Sequence, residues 1–91
     1  NWKDERTLKH FASPAFWECY KRLPATVQKQ ANRCFELLKA NPRHPSLHFK
    51  SIGKYCSVRV GLHYRALAVE ISNGLVWFWI GTHSDYDKIL G

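Results

Sequence analysis

The side chains best suited to chemistry are the cations and imidazoles of the C-terminal half. Between Asn41 and His83 the only acidic residue is Glu70. Arginine carries a permanent forked charge that matches phosphate oxygens, and histidine transfers protons near neutral pH. This half is therefore predicted to form a basic surface for a polyanionic partner, either a nucleic acid or an acidic protein. The cations and imidazoles of this stretch are Arg43, His44, His48, Lys50, Lys54, Arg59, His63, Arg65 and His83.

Other site chemistries find little support in the sequence. His44 and His48 are four residues apart, but they lie in a proline-containing loop where no helix would bring them onto one face. The glycines are isolated, so there is no glycine-rich phosphate loop. We therefore expect neither a metal centre nor a cofactor. The three cysteines are an odd, widely spaced set, which favours a reducing cytoplasmic compartment over a disulfide framework.

Composition limits the chain to one small globular domain spanning residues 1–91. Hydrophobic residues make up 45% of the sequence and charged residues 23%, a balance typical of folded proteins. Lys and Arg number 14 against seven Asp and Glu, for a formal net charge of +7. The longest apolar run, Leu75–Ile80, is far shorter than the roughly 20 residues that a membrane-spanning helix needs.

Two helices are predicted in the N-terminal half. Ser13 and Pro14 are typical of a helix start, and Pro24 both interrupts this helix and begins the next. Asn41 and Pro42 end the second helix. The short connection between the helices predicts an antiparallel hairpin. The apolar stripe of the second helix comprises Val27, Ala31, Cys34, Phe35 and Leu38.

The remaining pattern predicts strands and a short final helix. Ser84 is expected to be the N-cap of that helix, and Trp77 and Trp79 are expected to share a core face of the last strand. The whole predicts an α+β fold: an N-terminal strand and a helical hairpin packed on one face of a mostly antiparallel four- to five-stranded sheet, followed by a short C-terminal helix. The predicted strands are Arg6–Ala12, His48–Ile52, Tyr55–Val60, His63–Ile71 and Leu75–Ile80, and the final helix is Ser84–Leu90.

The order and spacing of several motifs resemble the RelE/ParE superfamily of toxins from bacterial type II toxin–antitoxin systems. The motifs are the Leu23-Pro24 break, then Asn41–Leu47, Tyr55–Val60, His63–Leu67 and Ile80–Tyr86. The resemblance implies a compact α+β domain whose open sheet face binds RNA. It also implies a messenger RNA endonuclease that acts on the ribosome, and a cognate antitoxin as protein partner.

The resemblance also assigns candidate site residues. Arg59 and Arg65 match basic positions on the central strands, His83 matches the Arg/His position after the last strand, and Tyr86 is a looser match to a C-terminal tyrosine. RNA cleavage by its own 2′-hydroxyl needs a proton acceptor, a proton donor and cations on the phosphate. We assign the proton transfer to His83, the phosphate to Arg59 and Arg65, and positioning or donation to Tyr86. Supporting RNA contacts are expected from Lys50, Lys54 and His63.

Two alternatives of other classes remain open at this point. Ser57 occupies a strand position where strong nucleases of the superfamily carry a lysine. Some superfamily members inhibit DNA gyrase without being enzymes. The chain is accordingly a ribosome-dependent nuclease, a gyrase inhibitor, or a catalytically inactive binding module.

Overall fold

A computed structural model describes residues 9–90. It confirms the predicted α+β class, with five strands and three α-helices in that range. No helix in this part of the chain is long and apolar enough to cross a membrane. In chain order the elements are β1 (Lys9–Ala12), α1 (Pro14–Lys21), α2 (Ala25–Ala40), a 3₁₀ turn (Pro45–Leu47), β2 (Lys50–Ile52), β3 (Tyr55–Val60), β4 (Tyr64–Ile71), β5 (Gly74–Thr82) and α3 (His83–Leu90).

The strands form one mixed sheet in the order β1-β5-β4-β3-β2. Strand β1 runs parallel to β5, and the other three pairings are antiparallel, as the sequence pattern predicts. The turn at Ser72 and Asn73 joins β4 to β5 directly, with Ile71 paired to Gly74. Of the predicted N-terminal strand, Lys9–Ala12 is observed and Arg6–Leu8 lies outside the described residues.

Both N-terminal helices pack on the same face of the sheet. The Ser13 hydroxyl accepts a hydrogen bond from the Phe16 amide at 3.3 Å, which satisfies one free amide at the start of α1. Of the predicted stripe on α2, Phe35 stays 41% exposed and is not a core residue. The core joins the helices to alternate residues of the central strands: Ala31, Leu38, Leu47, Cys56, Val58, Val60, Ala66, Ala68, Leu75, Trp77 and Ile80.

A β-bulge separates the two tryptophans of β5. Leu67 pairs with Trp79 and Ala68 pairs with Trp77, so one extra residue lies on β5 at this point. The extra residue breaks the two-residue alternation, and the prediction that Trp77 and Trp79 share a face is wrong. Trp77 belongs to the helix-side core, whereas Trp79 lies on the opposite face, where its indole covers Gly81.

A half-buried histidine links strand β1 to the rest of the sheet. Trp77 Nε1 donates a hydrogen bond to His10 Nδ1 at 3.1 Å, and the His10 ring also contacts Phe35 edge-on. Burial lowers the pKa of His10, and the Lys39 ammonium lowers it further. His10 is therefore held as a neutral acceptor that ties β1 to β5.

Candidate active site

Two arginines lie opposite each other on the sheet face that the N-terminal helices leave open. Arg59 of β3 and Arg65 of β4 are direct partners in the antiparallel register. The adjacent residues Val58, Val60 and Ala66 point to the helix-side core, so both guanidinium groups project from the other face. Cross-strand partners of an antiparallel pair have Cα atoms roughly 4.5–5.5 Å apart. The fold thus places two permanent positive charges side by side.

His83 joins this pair from the start of α3. Arg65 Nε donates a hydrogen bond to His83 Nδ1 at 3.3 Å. Because Nδ1 accepts, the proton of the neutral ring must reside on Nε2. His83 Nε2 lies 3.6 Å from Asp87 Oδ2, one helical turn away. The ring therefore has an arginine on one nitrogen and a carboxylate facing the other.

A second imidazole lies against the other arginine. Arg59 Nε donates to the Gly61 carbonyl at 3.0 Å, and Arg59 Nη1 lies 3.3 Å from His48 Nε2. His48 was not among the site residues predicted from the sequence. We call the side chains of His48, Arg59, Arg65 and His83 the basic row. It crosses the open face from His48, just before β2, to His83, at the start of α3, with an imidazole at each end.

Backbone contacts fix the position of His83. Its amide donates to the His63 carbonyl at 2.8 Å, which ties the turn before β4 to the end of β5. The Thr82 hydroxyl accepts from the Asp85 amide at 3.2 Å, so Thr82 caps α3. The predicted Ser84 cap is wrong because the helix begins at His83, which makes Ser84 its second residue.

Tyr86 lies beneath the basic row. Only 5% of the residue is exposed. Its ring stacks on the His83 ring, with centroids 5.7 Å apart and planes 20° apart, and the Arg65 guanidinium carbon lies 5.7 Å from its centroid. The buried phenolic hydroxyl has no hydrogen-bond partner within residues 9–90. Tyr86 therefore supports Arg65 and His83 through its ring.

The three predicted supporting residues have different positions. Lys50 is exposed and pairs with Ser57, which lies two residues before Arg59 on β3, so Lys50 is on the open face beside Arg59. The Lys54 ammonium lies 5.4 Å from the Tyr55 ring centroid, at the far end of β3. Five residues of extended chain separate Lys54 from Arg59, or roughly 16 Å. Lys50 therefore lies near the basic row, and His63 contributes through its carbonyl, which accepts from the His83 amide. Lys54 lies away from the basic row.

The charges of the two arginines in the basic row are not balanced by neighbouring acids within the described residues. Across residues 9–90, no carboxylate lies within 4 Å of Arg59 or Arg65 that would form an ion pair. Like charges directly opposite each other on neighbouring strands are destabilising, by roughly 0.2–1 kcal/mol. An anion between them would reverse that cost, and a phosphodiester suits two forked guanidinium groups. In the same range no three histidine, cysteine or acidic side chains are placed to hold a metal ion.

Most of this chain matches a known protein family. A family model described as a ParE-like toxin domain matches residues 25–88. This segment includes α2, every strand from β2 to β5, most of α3, and all four members of the basic row. The curated proteins contain no sequence match to this chain.

Several solved structures share the fold. The RelB–RelE antitoxin–toxin complex of Methanococcus jannaschii contains a chain with a TM-score of 0.68 and 16% identity, covering 89% of this chain and 99% of that one. YafQ from Escherichia coli strain BL21(DE3) has a TM-score of 0.65 at 15% identity, and the match covers 87% of this chain and 97% of YafQ. A chain of the YoeB–YefM complex of Staphylococcus aureus has a TM-score of 0.62 at 18% identity, and the match covers 84% of this chain and 97% of that one. At these identities the likeness is one of fold.

Proposed function

The chain belongs to the RelE/ParE superfamily of toxins, and we propose that it is the toxin of a toxin–antitoxin system that cuts messenger RNA on the ribosome. The observation that carries this proposal is the basic row. Arg59 and Arg65 lie side by side with no carboxylate against them in residues 9–90, and an imidazole lies at hydrogen-bond distance from each. Phosphate-binding charge and proton-transfer groups are thus present on one open face.

The proposed reaction uses the RNA's own 2′-hydroxyl. The two guanidinium groups bind the non-bridging oxygens of the scissile phosphate and stabilise the extra negative charge of the crowded phosphorus. The 2′-oxygen attacks phosphorus, the bond to the 5′-oxygen breaks, and a 2′,3′-cyclic phosphate and a 5′-hydroxyl result. His83 supplies general acid or base catalysis, and Tyr86 holds the ring in place. The step needs no cofactor.

The charge of the chain also fits the proposed protein partner. Two of the similar folds, RelE and YoeB, are described in complexes of a toxin with its antitoxin. We propose that this chain too binds a cognate antitoxin. A formal net charge of +7 favours an acidic partner segment, because opposite charges speed and orient association.

The experiment separates RNA cleavage from gyrase inhibition. Purified protein is added to a translating bacterial extract and to a gyrase supercoiling reaction, and message ends are mapped by primer extension. We expect the wild type to produce new message ends and to leave supercoiling normal. His83→Ala or Arg65→Ala should lower the rate of message cleavage by at least about 100-fold. Lys29→Ala removes an exposed charge from α2 and is the matched control. Intact message with blocked supercoiling would replace the nuclease by the gyrase alternative. If the protein neither cuts message nor blocks supercoiling, the binding-module alternative is the one that stands.

A further inference from the structure

Three aromatic side chains lie on the open face of the sheet, next to the basic row. The bulge in β5 places Trp79 on this face. Tyr55 alternates along β3 with the core residue Cys56, so its ring projects from the open face as well. The Phe78 ring lies against the Tyr55 ring, with centroids 5.6 Å apart and planes at 45°, and the two rings meet above β4. We call the side chains of Tyr55, Phe78 and Trp79 the aromatic ledge.

The aromatic ledge covers part of β4 but stays partly open to solvent. Leu67 alternates with the core residues Ala66 and Ala68, so it projects from the open face, and yet it is 0% exposed. Each of the three rings of the ledge, in contrast, is only half-buried. The ledge therefore presents flat aromatic surface to a partner, in addition to covering Leu67.

The aromatic ledge begins directly beside the basic row. Gly81 is the β5 partner of Arg65, so their Cα atoms are roughly 4.5–5.5 Å apart. The Trp79 indole lies across Gly81, where an added Cβ would be 2.5 Å from its Cζ2 atom. The absence of a side chain at Gly81 lets the indole rest against the backbone at this point. A group bound by Arg65 consequently has the Trp79 ring as its neighbour.

The charges around the aromatic ledge favour an anionic strand as its partner. The Lys54 ammonium lies 5.4 Å from the Tyr55 ring centroid, roughly 16 Å along β3 from Arg59. Within the strands of residues 9–90, Glu70 is the one acidic residue, and it pairs with Leu75 of the helix-side core, so it projects from the other face. The open face thus has cations at both ends of an aromatic surface. This order suits the phosphates and bases of a single nucleic-acid strand.

We propose that the aromatic ledge stacks the bases next to the scissile phosphate, so that the chain binds RNA as an unpaired strand; this inference rests on the proposed function, with RNA as the substrate. A base beside the phosphate that the two arginines bind lies on Trp79, a further base lies on the other two rings, and Lys54 binds a phosphate beyond them. Every base has an aromatic face, so the ledge tolerates any sequence but requires bases free of pairing. Each stacked base strengthens binding about 5- to 150-fold.

The test measures binding, so it does not depend on cleavage. Two short, fluorescently labelled 2′-O-methyl RNA strands are compared, because a blocked 2′-oxygen cannot attack phosphorus. One strand is complete, and the other has abasic sites on both sides of its central phosphate. Fluorescence anisotropy at low salt gives the affinities of the wild type, Trp79→Leu, Trp79→Phe and Lys54→Ala. Trp17→Leu is the matched control, because Trp17 is an exposed tryptophan of α1, and thermal unfolding verifies that each variant is folded.

We expect the wild type to bind the complete strand at least about fivefold more tightly than the abasic strand. Trp79→Leu should lose most of this base preference, whereas Trp79→Phe, which keeps an aromatic ring, and Trp17→Leu should retain it. Lys54→Ala should weaken the binding of both strands equally, by about threefold, because it removes a phosphate contact and no stacking surface.

Equal binding of the two strands by the wild type, or no binding of either, would overturn the ledge as a nucleic-acid surface and favour an apolar protein segment as its occupant. Full base preference in folded Trp79→Leu would overturn the role of Trp79. The comparison on the wild type decides the main point even where Trp79→Leu does not fold. A wild type that shows the base preference but cuts no message in the translating extract would remove the proposed nuclease and leave the ledge as an RNA surface.

Discussion

Replacing Tyr86 by phenylalanine tests whether the ring or the hydroxyl of this residue matters. The hydroxyl is buried without a partner in residues 9–90, and such a group costs about 1–3 kcal/mol of desolvation. Phenylalanine keeps the ring that contacts His83 and Arg65. We therefore expect Tyr86→Phe to raise the free energy of unfolding by about 1 kcal/mol, and message cleavage to stay within about threefold of the wild type.

Urea and thermal unfolding give the measurement, because about 1 kcal/mol corresponds to about 4–8 °C in Tm for a domain of this size. Tyr86→Ala provides the contrast: losing the whole buried ring is expected to cost about 3–5 kcal/mol. A Tyr86→Phe variant that unfolds more easily than the wild type would show that the hydroxyl has a partner. A cleavage loss of about 100-fold with normal stability would show that the hydroxyl donates a proton, and would refute the role of Tyr86 as a support.

Three further predictions concern the elements that position the site. Because burial lowers the pKa of His10, the unfolded chain takes up a proton at a pH where the folded chain does not. The free energy of unfolding, measured by urea titration, should therefore fall as the pH drops below about 6.5, and it should fall less for His10→Gln. Gly74→Ala should destabilise the fold by about 1–3 kcal/mol, since its Cβ would collide with the Lys9 carbonyl of β1; a neutral result in thermal unfolding would contradict the close packing of that edge. Thr82→Ala should cost about 1 kcal/mol by removing the α3 cap, and a Tm equal to the wild type would show that Thr82 is not that cap.

Most of the fold could be predicted because local signals agree with the tertiary structure. The apolar spacing from Val27 to Leu38 predicts α2, and the alternation in Tyr55–Val60 predicts β3 without error at either end. The bulge in β5 could not be predicted. The stretch Leu75–Ile80 is apolar on both faces, so its sequence carries no alternation in which an extra residue would show. Where Trp79 lies depends on pairing with β4, which is a tertiary effect.

The candidate site was partly accessible from the sequence. The sequence predicts Arg59 and Arg65 as site residues, and the register places them side by side. His48 is a site residue that the sequence interpretation misses, although a signal exists: the two-residue turn at Gly53 and Lys54 pairs Lys50 with Ser57 and so brings the residues just before β2 toward Arg59. The backbone of His48 is left-handed, with a φ of 48°, and the sequence gives no signal of this because non-glycine residues rarely adopt that conformation. The prediction of Lys54 rests on its charge alone, and charge does not show where along a strand a residue lies.

The position of His83 shows the same limit. A histidine after the last strand could be identified, but its partners could not, because Asp87 is reached through α3 and Arg65 through the sheet. The helix starts at His83, and its cap is Thr82, two residues before the predicted cap Ser84. A cap prediction depends on single-residue accuracy that sequence patterns do not give.

The most direct test of the central claim is the chemistry of the RNA ends produced in a translating extract. If the basic row directs attack by the 2′-hydroxyl, the wild type should leave a 2′,3′-cyclic phosphate on one fragment and a 5′-hydroxyl on the other, and Arg59→Ala combined with Arg65→Ala should leave the message whole. Fragments ending in a 5′-phosphate, or equal cutting by the double variant, would contradict the account.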